Sequence, residues 1–222
     1  TNANGVTEGQ LIINVVDANQ FVDSRSVCFN QGTNVVDHLQ STLNIDSDKY
    51  SVLFWFKASH NVKAEQTILY YGSSTKDPHY ATVQYDGSGD GASSFRLSYG
   101  STGTTTSAIT DPLVAPAGEW STGLLTYDGL SYKLYTSYDD FIELNHSNAD
   151  YGDSPVLYIG RSPSGQYLRN GCLVNEVSIW YDVIDEPLLF GDKPIDVSTL
   201  STPPDHWWRM GDGVGDAHPN IH

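Results

Sequence analysis

The residues best suited to chemistry in this chain bear oxygen. Asn34, Asp139, Asp140, Asn175 and Glu176 offer amide and carboxylate oxygens from an early loop, the loop after Tyr138 and a late apolar strand. Hard cations such as calcium take several oxygen ligands, and these five would converge only through the fold, since no EF-hand spacing links them. The competing reading is a solvated Asp139-Asp140 turn and a paired Glu176 at a strand edge. Glycoside hydrolysis would need two carboxylates, one as acid and one as nucleophile or base. Glu176 is followed by Val177, Ser178, Ile179 and Trp180, and the next carboxylate of the same strand parity is Asp182. That residue would lie about 20 Å along a strand, too far to share one glycosidic bond. No carboxylate pair is therefore expected within about 5–10 Å in an exposed cleft, and no catalytic residue is assigned.

Nucleophilic and zinc chemistry lack their spacings too. There is no G-x-S-x-G turn, and His38, His60, His79, His146, His206, His218 and His222 form neither H-x-H nor H-E-x-x-H. Sugar recognition needs an exposed aromatic platform beside polar hydrogen-bonding groups. Tyr138, Tyr151 and Tyr167 lie in loops and suit that role, whereas the strand tyrosines suit core and rim packing.

The elements that would position these groups are short β-prone runs cut by Gly, Asn, Asp and Ser about every ten residues, the texture of a sandwich. Segment 49–57, KYSVLFWFK, is apolar on both faces and predicts a central strand covered on both sides. Further strands are predicted over 25–29, 66–71, 80–85, 95–99, 121–127, 130–136, 156–159 and 173–181. Asp128-Gly129 predicts a hairpin between two of them. Stretches 86–94 and 100–107 read as loops. Residues 185–190 predict one short helix stopped by Gly191.

With 222 residues the chain fits one large β domain. Eleven basic against twenty-seven acidic residues give a net charge of −16, which repels a phosphate backbone and argues against nucleic acid as a partner. An acidic surface instead suits solubility first, and cation binding or high salt after that. No apolar run reaches the length of a membrane span, so membrane insertion is not expected.

Three segments in order resemble the laminin-G-like branch of the concanavalin A-like lectin/glucanase superfamily. They are the Tyr50–Lys57 strand, the GEWSTGLLTYDG stretch at 118–129 followed by YKLY at 132–135, and the LYIGR segment at 157–161 leading into NGCLVNEVSIW at 170–180. The resemblance implies an all-β, antiparallel jelly-roll sandwich over 1–191 with an extended C-terminal tail, 192–222, packed on it. This chain departs from the family pattern by placing Asn175 where an Asp is usual and by one extra residue between Gly171 and Glu176. The family's hydrolase branch presents its carboxylates as E-x-D-x-x-E on one strand, a pattern not found here.

Gly191-Asp-Lys-Pro194 and the later DHWWRMGDG stretch, 205–213, are similar to the ends of such domains in structural proteins of tailed bacteriophages. That resemblance implies a non-enzymatic virion component, a head decoration, tail or fibre subunit on the particle surface, with other virion proteins or its own copies as partners. The alternative is a calcium-assisted module for cell-surface glycans or adhesion, and a glycoside hydrolase comes third. Adjacent Trp207 and Trp208 point to opposite sides of an extended chain, one onto the sandwich and the other toward an assembly partner. The family arrangement also brings Cys28 and Cys172 near each other, which leaves both a disulfide and separate thiols open.

Overall fold

The computed structural model describes residues 27–29, 39–41, 45, 48–59, 65–73, 79–87, 93–101, 104–147, 151, 155–168, 171–185, 189–191 and 194–209. They form two antiparallel sheets. The strands are β1 (Val27–Phe29), β2 (Leu39–Ser41), β3 (Tyr50–Lys57), β4 (Gln66–Ser73), β5 (His79–Asp86), β6 (Ser94–Ser101), β7 (Thr104–Ile109), β8 (Trp120–Tyr127), β9 (Ser131–Tyr135), β10 (Phe141–Asn145), β11 (Pro155–Ile159), β12 (Cys172–Trp180) and β13 (His206–Trp208). One sheet runs β1-β12-β3-β8-β9-β10, with β13 also on β12, and the other runs β2-β11-β4-β5-β6-β7.

The two-sided apolarity of β3 is explained by its place between β12 and β8. Tyr50, Val52, Phe54 and Phe56 face the interior, where they meet Leu69, Val83, Phe95, Leu97, Leu157 and Ile159 of the other sheet. On the outer face, Leu53, Leu124 and Trp180 are covered by Leu189 and Val197, with Ile195, Leu200 and Trp207 at the margin. Described residues after β12 therefore form a lid over the outer face. Asp196 caps a 3₁₀ turn in it, Val197–Thr199, by accepting from the Ser198 N–H, and Trp180 Nε1 donates to the Thr202 carbonyl at 2.9 Å.

Several elements differ from expectation. β7 forms where a loop had been predicted, because the β-branched run Thr104-Thr105-Thr106 favours extended backbone and finds a free ladder on β6. β2, β10 and β13 were likewise not predicted. Residues 186–188 of the expected helix lie outside the described residues. The Asp-Gly hairpin is present, but β9 begins at Ser131, so the loop is three residues, 128–130, rather than two. Asp128 Oδ1 accepts from the N–H groups of Leu130 and Ser131, both at 2.8 Å, and Gly129 takes φ +89°. Slight desolvation pushes the Asp128 carboxyl up, but those N–H donors and Lys133 outweigh it, so it titrates below the usual carboxylate value. Cys172 is a buried thiol whose Sγ donates to Gln66 Oε1 at 3.7 Å, so of the two alternatives for this cysteine the thiol is realised.

One end of the interior is lined by phenols. Tyr151 OH bonds to Tyr50 OH at 2.7 Å and also to Tyr132 OH, while Tyr71 OH accepts from the Ile45 N–H at 3.1 Å. Burial pushes Tyr71 up to about 12, and drives Tyr50, Tyr132 and Tyr151 further above the ordinary phenol value. A phenol whose pKa is raised by folding stabilises the fold fully below pH 10 and ceases to do so as pH climbs through the folded value. Stability is expected to fall between about pH 10 and 12, with phenolate absorbance at 295 nm rising together with loss of near-ultraviolet dichroism. Phenolate appearing for these residues while the fold stays intact would show that the network is hydrated.

Candidate functional site

Strand alternation sends the side chains that the interior excludes to the outer face of the six-stranded sheet. Tyr158, Tyr70, Thr82 and Ser98 stand in one row across β11, β4, β5 and β6, and Val156, Gly72, Tyr80 and Gly100 form the next. Tyr70 and Tyr80 stack with centroids 5.4 Å apart, and Tyr80 OH bonds to Thr105 Oγ1 at 3.0 Å. The Tyr80 ring lies flat over β6 because residue 100 is glycine: a Cβ there would stand 2.2 Å from the ring.

A tight hairpin after β11 raises one rim of this face. Arg161 bridges Tyr167, Ser162 N–H donates to the Gln166 carbonyl at 2.9 Å, and Leu168 N–H donates to the Gly160 carbonyl at 2.9 Å. Gly165, at φ +86°, makes the reversal. The Arg161 guanidinium sits 5.3 Å from the Tyr158 ring centre and 5.9 Å from that of Tyr167. Gln84 Nε2 donates to Gln166 Oε1 at 2.6 Å. Thr82, Gln84 and Ser98 are buried in the floor, while Tyr80, Arg161, Gln166 and Tyr167 are half-buried along the rim. Flat rings beside a planar guanidinium and amides match the mixed apolar and hydroxyl surface of a sugar.

Farther along the same face, Arg96 Nη2 lies 2.9 Å from Glu65 Oε1 and 2.8 Å from Asp86 Oδ2. Those two carboxylate oxygens therefore stand within about 5.7 Å of each other, but Asp86 is buried, so they are not a pair in an exposed cleft. Register rather than sequence spacing unites them, since Glu65 precedes β4 and Asp86 ends β5. The guanidinium occupies the space between the oxygens that a scissile bond would need.

The sequence-derived candidates separate. Tyr167 belongs to the face just described. Tyr138 is exposed in the β9–β10 turn, on the other sheet. Tyr151 turns its hydroxyl into the interior network, so it is a core phenol and not a ligand platform. Asp139 and Asp140 are exposed in the turn with Tyr138, where the Asp140 carbonyl accepts from Thr136 N–H at 3.0 Å. Asn175 and Glu176 are buried in a β-bulge of β12, where Glu176 and Val177 together oppose Phe54 and Glu176 takes φ +47°.

Three strand spacings, about 14 Å, separate that bulge from the Asp139-Asp140 turn. Asn175 Oδ1 accepts from the Glu176 N–H and Glu176 Oε2 from Trp207 Nε1, so these oxygens serve protein donors. The four do not fit one calcium ion, and Asn34 lies outside the described residues. Among the described residues no three His, Cys, Asp or Glu side chains form a metal-binding group.

Trp207 and Trp208 do take opposite sides, but both are used within the chain. Trp208 enters the interior, whereas Trp207 lies against the outer-face cluster under the Arg209 guanidinium, 4.9 Å from its ring centre. Sequence reasoning missed Arg161, Tyr158, Gln84 and Gln166. The turn signal Ser162-Pro163-Ser164-Gly165 would have placed Arg161 opposite Tyr167, but nothing local to the sequence joins Gln166 to Gln84.

A family model described as the concanavalin A-like lectin/glucanases superfamily matches residues 30–187. A search of curated proteins found no match. Among solved structures, the chain is similar to the CBM40 of the Ruminococcus gnavus IT-sialidase bound to α2,3-sialyllactose, with 14% identity and TM-score 0.56 over 75% of this chain and 94% of that one. A heptameric SAP-like pentraxin from Limulus polyphemus is 12% identical, with TM-score 0.53 over 74% of this chain and 78% of that one. Domains LG4-5 of the mouse laminin α1 chain are 15% identical, with TM-score 0.53 over 80% of this chain and 47% of that one. At these identities the likeness is one of fold.

Proposed function

Because this chain belongs to the concanavalin A-like lectin/glucanase superfamily, a fold that hosts binding and catalysis alike, we propose from its side chains that it is a non-catalytic glycan-binding or adhesion module. The observation behind this reading is the rim formed by Arg161 and Tyr167 over Tyr158, beside the Gln84–Gln166 amide pair. It joins aromatic surface to planar hydrogen-bonding groups on a sheet face floored by Thr82, Gln84 and Ser98. The sialyllactose bound by the similar CBM40 makes sialylated oligosaccharides a sensible first probe. The reading uses no calcium, for the reasons of geometry given above.

A glycan array probed with the protein, followed by calorimetry on the best hit, tests it. Tyr167→Ala and Arg161→Ala are each expected to weaken binding by tenfold or more, about 1.4 kcal/mol. Gly100→Ala should lift the Tyr80 ring from its place and weaken binding without large loss of stability, because that ring is half-buried and can swing outward. Absence of binding to any glycan, or binding indifferent to all three substitutions, would sink the reading. Release of reducing sugar from a bound oligosaccharide would overturn its non-catalytic part.

A virus particle is the proposed setting for such a module. That part rests on the likeness of segment 205–213 to phage structural proteins. Recovery of the chain in stoichiometric copies from purified particles would support it, and its absence from them would remove it.

A further inference from the structure

Strand register places Thr67 of β4, Gln84 of β5 and Arg96 of β6 side by side in one row of the outer face, next to the aromatic rows described above. The Gln166 side chain, coming from the hairpin after β11, reaches Gln84 across the intervening β4, whose residue in that row is Thr67. Two polar atoms of the row, Thr67 Oγ1 and Arg96 Nε, are buried and meet no hydrogen-bonding atom of the protein. Thr67 is fully buried, and Arg96 commits Nη2 to Glu65 and Asp86. Their neighbour Thr82 shows what a satisfied floor residue does, since its Oγ1 donates to the Leu69 carbonyl at 2.9 Å. A buried polar atom without a partner destabilises the free protein, so two in one row need a reason.

We propose that the Thr67–Gln84–Arg96 row is a covered subsite of the sugar face, which takes one uncharged sugar unit when Gln166 releases Gln84. The subsite rests on the glycan reading and adds the kind of unit that lies beside the Arg161–Tyr167 rim. Thr67 and Arg96 are two strand spacings apart, about 10 Å, with Gln84 between them. A ring over Gln84 can present a hydroxyl to each. Such a hydroxyl accepts from Arg96 Nε–H and donates to the partly exposed Glu65 carboxylate, whereas a carboxylate or sulfate could only accept. Glu65 and Asp86 also neutralise the guanidinium and repel a further anion. Entry exchanges the one Gln84–Gln166 bond for bonds to three floor groups, which is the differential contact that shifts the hairpin.

Stability and binding are measured on the same variants. Thr67→Val removes the hydroxyl and keeps the shape, so the melting temperature of the unliganded protein should rise by roughly 2 °C or more. One that stays or falls means the hydroxyl is already satisfied, and overturns the subsite. In calorimetric titrations with α2,3-sialyllactose and neutral linear trisaccharides, Thr67→Val should bind the best of these probes about fivefold more weakly or worse, while Thr67→Ser binds like wild type. A residue serving the fold alone would not lose affinity while gaining stability. Trigalacturonate, acidic at every unit, should bind about tenfold more weakly than the neutral probes, and equal binding would overturn the uncharged assignment. Weakening by Tyr167→Ala with none by Thr67→Val overturns the subsite and leaves the glycan reading standing. Failure of every probe to bind wild type overturns the subsite too, and a blank glycan array removes the reading beneath it.

Discussion

Replacing Trp208 by alanine is expected to destabilise the protein by about 3–5 kcal/mol, the range for deleting a buried aromatic side chain. The residue ends β13, pairs with Val177 of β12, and is 4% exposed against the main interior cluster. Its ring also stacks on His206 with centroids 5.8 Å apart. In a protein of this size each kcal/mol moves the melting temperature by about 2–4 °C, so the shift should be near 10 °C. Leu130→Ala serves as a control, because Leu130 is 69% exposed at a hairpin tip and should change little. A Trp208→Ala melting point within a degree or two of that control would show that β13 contributes nothing to the core. Trp207→Phe should also destabilise, by less, since it removes the Nε1 donor to the buried Glu176 carboxylate while keeping most of the ring.

The second large effect is expected at Gly123. A Cβ on this residue would stand 2.1 Å from Phe54 Cζ and 2.6 Å from Cε1. Phe54 cannot retreat, being fully buried and edge-packed on Phe95 at 5.6 Å. Overpacking of this kind costs about 1–3 kcal/mol or more, so Gly123→Ala should melt several degrees below wild type. Trimming the obstacle gives the sharper measurement. Phe54→Leu alone opens a cavity, but in the double variant the added methyl enters the vacated space, so the two losses should sum to more than the observed one. Strict additivity in a denaturant-unfolding cycle would place the cause elsewhere, in the backbone freedom of glycine. The contrast with Gly100 is instructive: there the opposing ring is half-buried Tyr80, which can yield.

Legibility of the fold followed side-chain periodicity. β3 was readable as a short β-prone run apolar on both faces, and the β8–β9 hairpin because its turn residues are distinctive. β2 and β13 have three residues, too few for any period to show, and β7 is a run of hydroxyl residues with little apolar signal. The site was less legible still. Gln84 and Gln166 are far apart in sequence and meet only because β5, β4 and β11 pair in one register. Glu65 and Asp86 meet on Arg96 for the same reason, a proximity that their spacing in sequence does not show. Tyr151 looked like a loop residue in sequence, and its hydroxyl partners on β3 and β9 cannot be inferred locally. The Glu176 bulge rotates a carboxylate onto the same face as its neighbour Asn175, something strict strand alternation would forbid.

The sharing of one β12 flank by β1 and β13 bears on how the chain folds as it is made. Val27 pairs with Val174, and Trp208 with Val177, so neither half of that flank can close until late residues have left the ribosome. The β4–β5–β6–β7 meander, by contrast, is built from neighbours in sequence and can form early. A nascent chain halted before residue 206 would hold β12 with part of its backbone unpaired and the interior open where Trp208 belongs. Arrested chains of increasing length should therefore gain protease resistance in two steps, the second only after the Trp pair emerges.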